Sequence, residues 1–375
     1  MKTAFIFLIM LLACTNSFSK NVTVLLSLDN ANIFDKIFVN LTTDNGDYKF
    51  DGKKNKNNYF FSIPDSIIQT YYGINFHANT TTDSIYADLG FATVSEQDTS
   101  LYVSGTLYWT DSDTLFLSGN FFAKSTDIYP SLRNRKITTY KYIVTSSDPE
   151  VKTSIKAACS RFGRFYDPKE ESNYESILQY YINEIKKHPD SKSLMYGIYS
   201  GLRYYQSVSD LKMVYDSFSE KNKQSYYGKK IKEYCTLFDS PFSNMQLTNS
   251  LTNEQELIVL SKPTIVIFSA SWCKPCHKLV PILKKIYDKV SSKIDMVYIS
   301  IDQNETESNW IDFLKNENIP WRSLSAKDKM KEVMSKYSIS TIPVVFYICN
   351  SKVERLFLTE EKDICKIYDY YNNLH

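Results

Sequence analysis

The stretch Phe268-Ser-Ala-Ser-Trp-Cys273-Lys-Pro-Cys276-His277 determines the predicted fold of the last third of this chain. The apolar run before it, Thr264–Phe268, predicts a buried strand, and the spacing of apolar residues over Leu279–Val290 predicts a helix after it. Cys273 is therefore expected at the N-terminus of a helix, where unpaired N–H groups and the helix dipole stabilise a thiolate. A thiolate is the nucleophile of disulfide exchange, and Cys276, one helical turn further on, is placed to close a disulfide with it.

A C-x-x-C pair by itself is also compatible with half of a zinc site or with two buried thiols. Zinc needs two further Cys or His ligands at matching spacing, and the other cysteines are scattered singly, so no metal is expected. Trp272, Pro275 and Pro281 surround the pair and favour redox chemistry. Farther along, Thr341-Ile-Pro343 leads into an apolar strand, and its Ile-Pro bond is a candidate for the cis form.

With these features, the C-terminal part of the sequence resembles the thioredoxin superfamily. It is most similar to the TlpA/ResA type, which are membrane-anchored thiol-disulfide oxidoreductases facing the periplasm or the cell exterior. The segments Ile299-Ser-Ile-Asp302, Asn309-Trp310 and Ile319-Pro-Trp321 resemble the inserted helix region of that group.

This resemblance implies an α/β thioredoxin fold over residues 242–375 and no cofactor. It implies that Cys273 is the nucleophile and that Cys276 is the resolving cysteine. It also implies a substrate groove formed by four residues: Trp272, Pro275, Ile342 and Pro343.

Two positions depart from the family pattern. Thioredoxins keep a buried acid six residues before the first cysteine, where this chain has Ile267. ResA-like members often carry a glutamate three residues after the second cysteine, where this chain has Leu279. The proton acceptor for the resolving thiol is therefore open among Lys274, His277 and water, and His277 fits an ordinary solvated helix position better. A missing buried base should slow the resolution of mixed disulfides without abolishing it.

The length of 375 residues predicts two or three domains, and 43% hydrophobic with 23% charged residues is typical of globular proteins. The formal net charge of +2 predicts no nucleic-acid partner. Short alternating apolar runs separated by turn signals predict an all-β, sandwich-like domain over residues 20–135. Helical spacing predicts a helical segment over 149–238. The chain is thus expected to be multidomain, with the α/β thioredoxin fold last.

The N-terminus predicts export. The apolar run Ala4–Ala13 follows a basic start and is too short to span a membrane, so residues 1–19 are expected to be a signal peptide. Leu11-Leu-Ala-Cys14 resembles a bacterial lipobox, which implies a lipidated Cys14 and an anchor on the periplasmic face of a membrane. The competing interpretation is ordinary cleavage after Ser19, which would leave a soluble periplasmic protein. The layout of the whole chain is similar to exported TlpA-like proteins of Bacteroidota.

Outside the cytosol disulfides persist, and the proline between the cysteines resembles the reducing members of the superfamily. We therefore expect a reductase of protein disulfides, supplied with electrons by an upstream membrane donor. One alternative is a copper carrier that uses the two cysteines and His277. Another is a surface lipoprotein whose front modules dock a partner.

The remaining cysteines raise a separate question. In an exported protein the simplest pairing is within modules, Cys159 with Cys235 and Cys349 with Cys365. Free buried thiols are the favoured alternative for each pair.

Overall fold

The computed structural model describes residues 21–30, 34–43, 46–68, 70, 73–79, 86–94, 102–104, 108–110, 112–129, 135–165, 173–339, 341–358 and 361–374. The predicted signal segment 1–19 and Cys14 lie outside the described residues. Packing divides the chain into two compact units, one ending at Ile198 and the other beginning at Tyr199. Within the described ranges, no helix combines the length and the apolar character needed to cross a bilayer.

The first unit is built on one β-sheet with ten described strands. The strands are β1 (Asn21–Leu28), β2 (Lys36–Thr43), β3 (Gly46–Asp51), β4 (Lys53–Asn55), β5 (Asn58–Pro64), β6 (Gly73–Asn79), β7 (Tyr86–Val94), β8 (Tyr102–Ser104), β9 (Thr114–Tyr129) and β10 (Arg135–Thr145). They follow the order β3-β2-β6-β7-β10-β9-β1-β5-β4, with β8 pairing to β7. Every second residue of β1 and β2 is buried, so the sheet turns one apolar face to the core.

The helices described up to residue 200 are α1 (Asp65–Ile68), α2 (Pro149–Cys159), α3 (Tyr174–Lys187) and α4 (Lys192–Ser200), the last of which crosses the boundary between the two units. Asn173 caps α3, since its side chain accepts from the backbone N–H of Glu175 at 2.9 Å. Ser191 acts similarly for α4, accepting from Leu194 N at 3.2 Å. The predicted all-β region followed by helices is thus confirmed, and its described strands form one hydrogen-bonded sheet that continues through β10.

The second unit contains the remaining elements. Its helices are α5 (Val208–Asp216), α6 (Glu220–Lys223), α7 (Tyr226–Asp239), α8 (Lys274–Val290), α9 (Glu307–Asn316), α10 (Met330–Lys336) and α11 (Glu361–Asn373). Its strands are β11 (Gln246–Asn249), β12 (Gln255–Leu257), β13 (Thr264–Ser269), β14 (Asp295–Ser300), β15 (Arg322–Ser325), β16 (Val344–Cys349) and β17 (Lys352–Leu356). They form a seven-stranded sheet in the order β12-β11-β15-β14-β13-β16-β17.

The interior strand β13 shows that this sheet is covered on both faces. All six of its residues are buried, as expected of a strand between two helical layers. Ile265 and Ile267 pack with residues of α8, α9 and α11. Val266 and Phe268 pack on the opposite side with residues of α10. This layered arrangement confirms the predicted α/β fold of the C-terminal part.

The helices before this sheet pack directly against it. The Arg355 guanidinium on β17 donates to the Tyr234 hydroxyl of α7 at 2.5 Å and to the Leu202 carbonyl at 3.4 Å. The ring of Phe238, also on α7, meets Phe346 of β16 edge-on, with centroids 5.8 Å apart. The helices after Tyr199 therefore belong to the same compact unit as the sheet.

Candidate active site

The two cysteines lie where β13 ends and α8 begins. Cys273 is the N-cap of α8, and its Sγ accepts from the backbone N–H of Cys276 at 3.2 Å. A cysteine sulfur thus occupies the position that Ser or Asp takes in ordinary caps, next to the positive end of the helix. The pair forms a disulfide with its Cα atoms 5.3 Å apart. The predicted strand, cysteine pair and helix therefore occur in the predicted order.

The pair is shielded from solvent although its neighbours are not. Cys273 is 4% exposed and Cys276 is 3% exposed, and both pack with Ala270 and Ile301. Trp272 beside them is 59% exposed, which is unusual for so large an apolar side chain. Apolar surroundings raise the free energy of a thiolate, whereas the helix N-terminus lowers it.

A groove of about 550 Å³ opens beside Cys273. Its lining includes three of the predicted groove residues, Trp272, Pro275 and Ile342. The Ile342–Pro343 peptide bond is cis, as the sequence indicated, but Pro343 is not among the lining residues. The groove therefore brings the nucleophile candidate Cys273 together with apolar surface, which is typical of ligand-binding sites.

Asp302 is a buried acid that the sequence did not identify as part of the site. It follows β14, is 1% exposed, and its Oδ2 accepts from the Ser271 backbone N–H at 2.9 Å and from the Ser300 hydroxyl at 2.8 Å. Its Oδ1 accepts from the Ser271 hydroxyl at 2.5 Å. Because Ser271 lies in the loop that leads to Cys273, the carboxylate holds that loop in place. The sequence signal for Asp302 was its position just after a strand, because side chains at the carboxyl ends of neighbouring parallel strands lie at the same edge of the sheet.

The candidates for the proton acceptor differ in their surroundings. Lys274 is exposed. The His277 ring stacks on Phe313 with centroids 4.4 Å apart, and its Nε2 is buried without a hydrogen-bond partner among the described residues. The expectation of a solvated histidine is therefore wrong, because the neighbouring helix α9 covers the ring. Ile267 and Leu279, at the usual acid positions, are both buried in the apolar core.

Among the described cysteines, Cys159, Cys235, Cys349 and Cys365 form no disulfide, so neither suggested pairing is present. Burial raises the pKa of Cys235 to about 11 and also raises the pKa of Cys159. Cys365 is exposed and Cys349 is partly buried. In the described part of the chain, no three His, Cys, Asp or Glu side chains are grouped so as to hold a metal ion.

Comparison with known proteins places this site in context. A family model described as Thioredoxin-like matches residues 261–352, which include Cys273 and Cys276. Tryparedoxin from Trypanosoma brucei brucei is 31% identical over 108 residues, which are 27% of this chain and 72% of tryparedoxin. The thiol-disulfide oxidoreductase ResA from Bacillus cereus is 31% identical over 87 residues, which are 23% of this chain and 49% of ResA. These matches confirm the thioredoxin-like and ResA-like character of the C-terminal domain.

The comparison with solved structures also found a similar domain. It is the thioredoxin domain of a thiol-disulfide oxidoreductase from Bacteroides vulgatus. The two are 19% identical, and the match covers 36% of this chain and 96% of that domain, with a TM-score of 0.33. Each of these matches covers about a third of this chain or less, so they bear on its C-terminal part alone.

Proposed function

Because this chain belongs to the thioredoxin-like family through its C-terminal domain, we propose that it reduces disulfide bonds in other proteins with a Cys273/Cys276 dithiol. The observation that carries the proposal is the position of Cys273, whose sulfur caps α8 and adjoins an open apolar groove. The helix N-terminus stabilises the attacking thiolate, and the groove admits the polypeptide that bears the target disulfide.

The reaction transfers two electrons in two exchanges. The Cys273 thiolate attacks one sulfur of the substrate disulfide, so that a mixed disulfide forms and the other substrate sulfur leaves as a thiolate and takes up a proton. The Cys276 thiol then loses its proton and attacks Cys273 Sγ. The mixed disulfide breaks, the Cys273–Cys276 disulfide forms, and the second substrate thiol is released. An upstream dithiol donor must reduce the pair before the next cycle.

An insulin-reduction assay with dithiothreitol as the reductant tests the activity. We expect wild-type protein to accelerate insulin reduction and Cys273→Ser to abolish the acceleration. Cys365→Ser is the matched control, because that cysteine is exposed and free. Cys276→Ser should accumulate mixed disulfides with substrate proteins, since the resolving thiol is missing. Inactive wild-type protein with an intact dithiol would refute the proposal.

The direction of electron flow depends on the reduction potential of the pair. Potentials near about −270 mV are typical of reductants such as thioredoxin, and those near about −120 mV are typical of oxidants such as DsbA. We expect a value close to the first. Equilibration with glutathione or dithiothreitol, followed by thiol trapping, measures it. A potential near the second value would make the protein an oxidase.

We also propose that the protein is exported and held at the periplasmic face of a bacterial membrane by lipid on Cys14. The support is the short apolar run and the lipobox-like Leu11-Leu-Ala-Cys14. Labelling with an alkyne fatty acid should mark the wild-type protein and not Cys14→Ser, which should fractionate with soluble proteins. Cleavage after Ser19 in both proteins would overturn the anchor.

The front modules have a proposed role in this scheme as well. Residues 20–135 and the helices that follow would dock partners, one of which is the membrane donor. Deletion of residues 20–145, which removes the whole first sheet through β10, should then slow reduction of the pair by membranes while leaving reduction by dithiothreitol intact. Equal rates with membranes would contradict the docking role.

A further inference from the structure

The charged residues described along the groove beside Cys273 are all basic. It is bordered by two cationic side chains, Arg203 and Lys274, and its other described lining residues are uncharged. No aspartate or glutamate is among those described lining residues. A polypeptide in the groove therefore meets apolar surface and positive charge together.

Arg203 comes from a distant part of the sequence. It lies on the one-turn 3-10 helix Leu202–Tyr204, ahead of α5. Leu202 and Tyr205 on either side are buried at 5% and 3% exposure, which fixes the backbone that carries the arginine. The packing of the second unit therefore holds the backbone of Arg203 beside the groove.

The guanidinium of Arg203 is available to a ligand. Its described contacts are with Tyr204, whose hydroxyl accepts from Nη2 at 2.5 Å and whose ring centroid lies 4.7 Å from Cζ. No carboxylate of the described residues forms an ion pair with it, and the side chain is exposed. An arginine held by one hydroxyl keeps most of its five N–H donors, and its planar fork matches a carboxylate.

We infer that Arg203 selects, among disulfide-bearing polypeptides, those that carry a carboxylate near the attacked cysteine. This inference rests on the proposed reductase function and adds the substrate class. The substrate residue next to the cysteine is apolar and occupies the groove, while an Asp or Glu close by pairs with the guanidinium. Lys274 strengthens the attraction without the bidentate geometry.

Three peptides with the same internal disulfide and the same apolar neighbour test the inference. They differ at one flanking position, which is Glu, Gln or Lys. The full-length protein should reduce them with kcat/KM in the order Glu, Gln, Lys at low salt. Each step should be up to about fivefold, which is the upper end of the range for one exposed charge pair. The preference should shrink towards physiological ionic strength, where the screening length is about 8 Å.

Variants assign the preference to Arg203. The Glu-to-Lys ratio of kcat/KM, up to about 25-fold in the wild type, should lose most of that factor in Arg203→Gln, fall further in Arg203→Glu, and largely persist in Arg203→Lys. Because the ratio is taken within each variant, a lower fraction of folded protein does not alter it. Lys232→Glu, at an exposed position on α7 outside the groove, is the control for general charge and should keep the wild-type ratio.

Two outcomes separate this inference from the function it rests on. If wild-type protein reduces the peptides with a ratio that Arg203→Glu leaves unchanged, or that Lys232→Glu lowers equally, the selectivity is overturned and the reductase stands. If wild-type protein reduces neither the peptides nor insulin, the proposed function itself is wrong.

Discussion

Replacement of Asp302 by alanine tests how the active-site loop is held. The carboxylate accepts three hydrogen bonds, two from Ser271 and one from the Ser300 hydroxyl. Asp302 and Ser300 are 1% and 0% exposed, so water does not replace the lost acceptor without rearrangement. The substitution therefore leaves buried donors unsatisfied beside the nucleophilic cysteine.

The expected loss follows from those contacts. A buried donor left without an acceptor costs about 1–3 kcal/mol, and hydrogen bonds to charged groups lie at the upper end. The Ser271 amide, the Ser271 hydroxyl and the Ser300 hydroxyl all lose their acceptor. Because bonds to one carboxylate are not additive, we expect about 3–4 kcal/mol in the free energy of unfolding for Asp302→Ala. Asp302→Asn keeps the shape and one acceptor oxygen, so about 1–2 kcal/mol is expected.

Urea unfolding followed by tryptophan fluorescence measures this loss. Of the four tryptophans in the chain, Trp272, Trp310 and Trp321 lie in the second unit and only Trp109 in the first. A Trp109→Phe background therefore restricts the signal to the unit that contains Asp302. Asp312→Ala is the matched control, because that acid is exposed on α9 and should change stability by less than about 0.5 kcal/mol.

The result that would refute this reasoning is an Asp302→Ala protein as stable as Asp312→Ala. Activity provides a second readout under conditions where every variant is folded. If the carboxylate positions the loop, insulin reduction by Asp302→Ala should slow several-fold and the reduction potential should shift. An unchanged potential together with lower stability would limit Asp302 to a structural role.

Three further predictions concern other parts of the unit. Burial raises the pKa of Cys235 to about 11, so its alkylation by iodoacetamide at pH 8 should be roughly two orders of magnitude slower than that of an ordinary thiol. Labelling of Cys235 as fast as that of the exposed Cys365 would contradict the raised pKa. Because the folded protein favours the neutral thiol of Cys235, the free energy of unfolding should be unaffected below about pH 8.5 and should fall as the pH rises towards 11. Trp310→Phe removes the Nε1–H bond to the Ser323 hydroxyl (2.9 Å) and leaves a void, so urea unfolding should show a loss of about 2–3 kcal/mol at an unchanged reduction potential. Titration of the reduced protein with Cu(I) should show no tight 1:1 complex, whereas stoichiometric binding that Cys273→Ser removes would favour the carrier alternative.

The redox pair and its scaffold were accessible to sequence reasoning because their signals are local. An apolar run, a C-x-x-C and a helical period lie within one continuous stretch, Thr264–Val290, and each constrains the next. The cis bond before Pro343 was accessible for the same reason, since X-Pro at the start of a strand has a narrow choice of conformations. The predicted strand before the pair begins at the residue where β13 begins, and the predicted helix lies within α8.

Contacts between distant segments were not accessible in this way. Asp302 meets Ser271 because β13 and β14 are parallel neighbours, and a single sequence gives no pairing register across the connecting helix. The stacking of His277 on Phe313 likewise depends on where α9 lies against α8. The solvated position expected for His277 was wrong because helical spacing describes one helix and not its neighbour.

The first sheet shows the same limit on a larger scale. Buried residues alternate with more exposed ones along β1, so this strand has one buried face. The partners of β1 are β5, which is antiparallel to it and near in sequence, and β9, which is parallel to it and far away. Alternation determines which face is buried but not which strands are neighbours. The arrangement of the ten strands in one sheet therefore came from the structure.

The packing of α7 against the sheet has a consequence for how this domain can be moved between proteins. A fragment beginning at residue 242 would retain both cysteines, but it would lose Arg203 and the aromatic cover that Phe238 provides for Phe346. Fused to another protein, such a fragment would keep the cysteine pair needed for the proposed disulfide exchange but would lack the proposed selectivity for substrates with a carboxylate. A fragment that keeps both the cysteine pair and Arg203 within one compact unit begins near Tyr199, which lies outside the family match at 261–352.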